Sequence, residues 1–331
     1  MLIAILFLLS FSLIVFQVLA HTPLSPSDEI HSLDTAFEVP NPTKSWALYR
    51  ELHHEGEAEY YKLHLRAGER LRISLFIKEI KEDFSPHLVI MGEALPSPDD
   101  FPDSVEKPNE FGAIIVKPSA PENPEYEPFT PTSYYYLIHV DEIISQEADY
   151  YVAVYEPSSI EGKYGIAIGY KEFTLSEWLL IPFDVIGIHE WEGQSLIMIL
   201  SPLLVALFSG IIVLWKNFTK FNLHKIVGSI AGFLYIGSGL MTLIQMIIAL
   251  SVSQLGPSAV LTSVFIALPL LFGFFILRKI IRFKEKLSIM DRVVFIALGL
   301  IGFFTWSGLL LGPSMTILAG IFPNRFFAKR I

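Results

Sequence analysis

The sequence predicts an all-β extracytoplasmic sandwich, antiparallel and jelly-roll-like, followed by an α-helical transmembrane bundle of about four helices. Three observations carry this. The run Ser195 to Trp215, SLIMILSPLLVALFSGIIVLW, is twenty-one residues without a charge, about 30 Å long as a helix and so matched to the hydrocarbon core of a bilayer. From Asp34 to Tyr170 short apolar runs alternate with period two, the mark of half-buried strands. The charge also divides at residue 195: twelve Lys and Arg against two acids follow it, net +10, leaving 12 basic and 32 acidic residues, net −20, before it. So acidic a first half disfavours nucleic acid as a partner.

Residues 1–20, MLIAILFLLSFSLIVFQVLA, read as a signal peptide, with Val18-Leu19-Ala20 as the small-residue cleavage site. No Lys or Arg precedes the apolar core, so an uncleaved anchor is the alternative. The chain has no cysteine, which excludes a disulfide framework, and its exported part has no usable glycosylation sequon, because Pro42 blocks Asn41-Pro42-Thr43. Both features point to a prokaryotic source.

Cleavage after Ala20 would make His21 the first residue, whose α-amine and imidazole can chelate copper. This resembles histidine-brace copper proteins and periplasmic copper carriers in that one residue. A brace needs further histidines, for which His31, His54, His64 and His139 are candidates, with His54 and His139 taken as the metal set beside His21. Against copper, the histidines have no spacing signature and read equally as surface groups.

Residues 21–170 form the predicted sandwich. Tyr61, Leu63 and Leu65 alternate, Ala67-Gly68-Glu69 turns, and Leu71, Ile73 and Leu75 resume, which predicts a hairpin. Tyr150, Val152 and Val154 share one strand face; Tyr164, Ile166, Ile168 and Tyr170 share the next. Between residues 93 and 133 lie nine of the 21 prolines, interspersed with acids; proline removes backbone donors, so this is an acidic loop insertion with one short strand at Ala113 to Val116. Asp99, Asp100 and Asp103 are a candidate calcium site, since hard cations take clustered carboxylates, although DDFPD lacks the spacing and glycine of a calcium loop.

Residues 171–194 form an interfacial collar, opened by a capping box at Thr174 to Glu177 and rich in aromatic and aliphatic residues. The bundle, 195–331, has spans at about 195–215, 226–250, 258–277 and 293–311. The connections 216–225 and 278–292 carry nine basic residues and 251–257 none, so the basic loops are expected in the cytoplasm and the acidic domain outside, at the cell membrane. Four crossings would leave the basic tail, Arg325, Lys329 and Arg330, on the outside, unless Met315 to Phe322 dips back. Gln245, Thr305 and Ser307 are the most polar residues within the spans and read as helix-to-helix bonds; no ionisable residue marks a transport path. Gly228 and Gly232 form a GxxxG pair suited to packing inside the bundle.

Asp34-Thr35-Ala36, Glu59 to Leu63 running into Ala67 to Leu71, Asp149 to Val154 and Gly162 to Ile166 together resemble the bacterial pre-peptidase C-terminal domain, over about residues 30–170. That resemblance implies a β-sandwich accessory module for binding or spacing and transfers no catalytic residue. No GxSxG, phosphate loop or dinucleotide fingerprint occurs, and His189-Glu190 lacks the second histidine of a zinc-protease motif. Two readings follow: a non-enzymatic membrane-anchored surface protein whose sandwich binds a protein, glycan or ion, with a membrane-protein partner available to the bundle, or a copper-handling protein or metalloenzyme subunit using His21.

Overall fold

A computed structural model describes residues 21–322 except 27–28, 54–55, 81–83, 120, 172–174, 218–222 and 283–286. The predicted signal peptide, His54, Thr174 of the predicted capping box and the basic tail lie outside the described residues. Contacts divide the chain into a sheet unit, Met1–Glu125 with Ser133–Thr174, and a helical unit, Tyr126–Thr132 with Leu175–Ile331.

Eleven strands are described: β1 (Thr22–Pro23), β2 (Phe37–Glu38), β3 (Trp46–Leu52), β4 (Ala58–Leu65), β5 (Arg70–Ile77), β6 (His87–Gly92), β7 (Gly112–Val116), β8 (Glu125–Glu127), β9 (Thr132–Ile143), β10 (Ala148–Tyr155) and β11 (Gly162–Ile168). They form a six-stranded sheet, β1-β3-β11-β5-β9-β8, and a five-stranded sheet, β2-β4-β10-β6-β7. The long pairings are antiparallel. Two-residue β1 and β2 pair parallel with β3 and β4, so both sheets are mixed rather than purely antiparallel.

The alternation read from the sequence is the buried face. Tyr61, Leu63, Leu65, Leu71, Ile73, Leu75, Val152, Val154, Tyr164, Ile166 and Ile168, drawn from both sheets, belong to one core, and each such side chain taken fully from water contributes about 1.5–3 kcal/mol. The predicted hairpin is corrected. β4 pairs with β2 and β10, and β5 with β11 and β9, so the turn at Gly68 (φ 83°) carries the chain from one sheet to the other. Alternation reports which face a strand buries; it is silent on which neighbour its edges bond to.

Inside this core sits one buried polar group of four. Arg50 and Glu59 form an ion pair, Arg50 Nε lying 3.0 Å from both carboxylate oxygens, and the Tyr164 hydroxyl donates to Glu59. Tyr61 and Tyr164 hydroxyls are 2.7 Å apart. Burial pushes both phenols well up, so they remain neutral donors that satisfy the desolvated carboxylate.

The first part of the acidic insertion, about residues 101–111, is a cover over the outer face of the second sheet. Val105 is buried there with Tyr60, Val89, Met91, Ala113, Ala153 and Tyr155, and Phe101 and Phe111 pack against them. The Glu106 backbone N–H donates to the Tyr60 hydroxyl at 2.6 Å, and the Leu33 N–H to Glu106 Oε2 at 2.9 Å. The expected strand appears as β7.

The helical unit contains α1 (Leu175–Trp178), α2 (Ile181–Trp191), α3 (Leu196–Asn217), α4 (Leu223–Leu250), α5 (Ala259–Arg282), α6 (Ile289–Phe304) and α7 (Leu311–Ile321). Among the described residues three helices, α3, α4 and α5, are long and apolar enough to cross a membrane, rather than four. α6 has 16 residues, about 24 Å, starting from a capping box between Ser288 and Asp291. The chain then reverses at Thr305 to Leu310, where Trp306, Gly308, Leu309 and Leu310 all take positive φ. α7 runs back along α6, and Arg292 near the start of α6 donates to the carbonyls of Gly320 (2.9 Å) and Phe322 (2.7 Å) at the end of α7. His224 bonds the Ala319 carbonyl beside them at 3.0 Å. Orphan carbonyls at a helix end need such donors.

The GxxxG pair packs inside the unit. A Cβ on Gly232 would stand 2.7 Å from the Leu277 side chain, and one on Gly273 2.6 Å from the Gly232 carbonyl, so α4 and α5 approach at backbone distance.

Candidate functional site

The segment Tyr126 to Thr132, Tyr-Glu-Pro-Phe-Thr-Pro-Thr, is built into the helical unit. Pro128 and Pro131 lack N–H donors and cannot extend a strand ladder, so β8 ends at Glu127 and β9 starts at Thr132, and the segment bonds to α5. The Tyr126 hydroxyl donates to Thr262 Oγ1 at 2.9 Å, and the Thr262 hydroxyl donates to the Pro128 carbonyl at 2.8 Å.

Phe129, thus held, joins a cage of three rings. It meets Trp178 edge-on at 6.0 Å, Trp306 at 6.2 Å and Phe265 at 6.4 Å. Phe265 and Trp306 stack at 4.6 Å and 6°. Trp306 Nε1 donates to the Trp178 carbonyl at 2.8 Å, while Trp178 Nε1 reaches the Phe304 carbonyl at 3.3 Å. These bonds pin the positive-φ turn between α6 and α7. Beside the cage lies a cavity of about 50 Å³ bordered by Phe129, Pro182, Ser238, Met241, Phe265 and Trp306 among others, room for a few waters.

Four polar groups lie within the same unit. Burial pushes the Glu127 carboxyl up to about 7, against a backbone N–H from Phe129 at 3.2 Å that holds it down, so this acid exchanges its proton near neutrality. Thr132 donates to Glu192, whose other oxygen lies 3.1 Å from His189 Nδ1; Thr132 and His189 are buried, as is the Glu192 side chain. His189 Nε2 makes no hydrogen bond to any described residue. The Gln194 and Gln245 side-chain amides exchange two hydrogen bonds, each Nε2 donating to the other's Oε1, at 2.9 and 2.8 Å, joining the start of α3 to α4, as expected of Gln245. Thr305 and Ser307 bond each other at 2.7 Å in the turn.

In the sheet unit, the outward residues of β5 and β9 form a mixed aromatic and charged face. Tyr136 stacks on His139 at 5.4 Å, His139 Nδ1 lies 2.9 Å from Ser74 Oγ, and Arg70 makes a bidentate pair with Asp141.

The residues singled out from the sequence fall as follows. His21 precedes β1; its Nδ1, the nitrogen nearer the α-amine, bonds Ser45 at 2.6 Å, and burial, then the nearby Arg72 charge, lowers its pKa to about 4. His139 stands on β9, four strands across from β1, roughly 19 Å at about 4.8 Å per strand, so the fold does not bring the two together. His31 pairs with Glu57 at 3.0 Å, and the exposed His64 with Asp149 at 2.8 Å. Asp99, Asp100 and Asp103 are exposed in the cover over the second sheet. Among the described residues no group of three His, Asp or Glu is arranged to hold a metal ion.

The ring cage was not anticipated. Its signal was an aromatic residue between two prolines in an acidic stretch, with tryptophans at 178 and 306. No family model matches the sequence, and no curated protein matches it.

Proposed function

We propose that the protein is a multi-pass cell-membrane protein whose β-sandwich stands outside the cell as a non-enzymatic module for binding a protein or glycan. The observation that carries the membrane reading is the chemistry of the outward side chains on the three long helices. Ile197, Met198, Val205, Phe208, Ile211 and Trp215 on α3, Ile244 and Ile247 on α4, and Val260, Leu271 and Phe274 on α5 are exposed, an apolar surface that lipid covers and water does not.

The α6–α7 reversal supports the orientation. With three crossings and a returning pair, the end of α3, the start of α4, the end of α5, the start of α6 and the end of α7 share one side, the side of Lys216, Lys225, Arg278, Lys279, Arg282 and Arg292, which the positive-inside rule puts in the cytoplasm. A fourth crossing would have put Arg325, Lys329 and Arg330 outside. The Tyr136–His139 stack and Arg70–Asp141 pair supply the mixture of ring and charge that suits recognition of a polar ligand.

Protease added to intact cells is expected to degrade the acidic domain and spare the loops 216–225 and 278–292, and alkaline washing to leave the chain in the membrane pellet. Extraction without detergent, or protection of the acidic domain with cleavage of the basic loops, would overturn the proposal.

A further inference from the structure

The end of α5 and the start of α6 border a cleft of about 420 Å³ lined by Phe275, Arg278, Lys279, Arg282, Leu287 and Asp291. Lys279 is already committed, its Nζ 2.6 Å from Asp291 Oδ1, and Asp291 is held in turn by Ser288. Arg278 and Arg282 make no hydrogen bond or ion pair with any described residue and are exposed. Four residues apart on one helix, they stand one above the other, Cβ atoms about 6 Å apart. Continuing up that stripe come Phe274 and Leu271, both more than 60 % exposed. One face of α5 therefore reads apolar, apolar, cationic, cationic, which is the pattern of a lipid lying along it with its headgroup at the end.

Basic residues in a last helical turn also offset the carbonyl end of the helix, which accounts for their sign but not for a cleft between two helices or for the stripe. We propose that this cleft binds the phosphate of an anionic phospholipid, Arg278 and Arg282 donating to the phosphate oxygens while Phe274 and Leu271 line the acyl chains. Paired guanidiniums suit a phosphate because each presents a planar fork of donors, and basic pockets at helix ends are where anionic headgroups collect. The proposal rests on the membrane reading of α3 to α5.

The test is native mass spectrometry of the purified full chain in detergent, titrated with phosphatidylglycerol, phosphatidylcholine or inorganic phosphate. Phosphatidylglycerol should be retained in preference to phosphatidylcholine. R278Q/R282Q should weaken that retention roughly thirtyfold, the loss expected for two basic residues at a headgroup, while K216Q/K225Q, which removes the same charge elsewhere, should leave it within about twofold. Should the first double variant fail to fold, R282Q alone must weaken retention about fivefold. Equal retention of the two lipids, equal losses in both double variants, or a fivefold loss missing from R282Q would overturn the cleft, and saturable binding of inorganic phosphate in place of lipid would overturn the lipid as its source. A chain that stays soluble without detergent sinks the membrane reading itself; one that needs detergent and shows no anionic preference sinks only the cleft.

Discussion

Replacing Glu127 by Gln is expected to stabilise the helical unit at pH 8 and to change it little at pH 5. The carboxyl titrates near 4.5 when exposed and at about 7 in the folded chain, because burial penalises its charge. A pKa raised by folding means that the native state binds the proton more tightly. The associated stability is complete below 4.5, falls as pH rises from there to 7, and is absent above 7. At 1.36 kcal/mol per pH unit the difference comes to about 3 kcal/mol at pH 8 and under 1 kcal/mol at pH 5, an upper figure because part of Glu127 remains accessible. Gln keeps an oxygen for the Phe129 N–H and carries no charge, so it should gain what Glu127 loses on ionising. For a unit of this size about 3 kcal/mol corresponds to roughly 5–10 °C in Tm. Trp178 and Trp306 flank Phe129, so tryptophan fluorescence during thermal unfolding in detergent reads the relevant region. Equal Tm differences between variant and native chain at pH 5 and pH 8, or a variant less stable at pH 8, would refute the buried-acid argument.

Arg292→Gln should cost about 2–3 kcal/mol, the worth of charged hydrogen bonds to otherwise orphan carbonyls, and should speed deuterium exchange over α7 before the rest of the unit. In a double-mutant cycle Gln194→Leu and Gln245→Leu should couple by about 0.6–1.7 kcal/mol, the range for polar pairs in membrane bundles; additivity would show that the reciprocal amide pair does not form. Gly273→Ala places a methyl 2.6 Å from a backbone oxygen that cannot swing away and should cost about 1–3 kcal/mol, whereas Gly187→Ala, with open space around it and a helical position, should be neutral or stabilising by up to about 1 kcal/mol. Thermal unfolding of the two variants side by side checks both.

The face each strand buries could be read because period-two alternation is imposed by the pleat itself, and Leu63, Leu71 and Ile166 all entered the core as their spacing required. Strand partners could not, because β4 and β5 present the same alternation whether they pair in one sheet or arch between two. The three long apolar helices were legible from length and absence of charge. The fourth misled because residues 293–311 are as apolar as a crossing helix, while the reversal is made by backbone conformation at Trp306, Leu309 and Leu310, residue types that seldom adopt positive φ and so give no warning. The ring cage was hidden for another reason: Phe129 is 49 residues from Trp178 and 177 from Trp306 in the chain, and no local pattern links positions so distant. The histidines were visible as donors but not as a set, since only the strand order revealed how far His21 stands from His139.

The membership of Tyr126 to Thr132 in the helical unit bears on how this protein can be cut. A truncation ending after Tyr170 looks clean on a linear map, yet it would carry along a short stretch whose hydroxyl anchor on α5 and whose three ring neighbours have been deleted. Phe129 would then face water, and the shortened product should self-associate. Grafting a Gly-Ser bridge across 126–132 before expression is the rational way to obtain the strands as a free-standing piece.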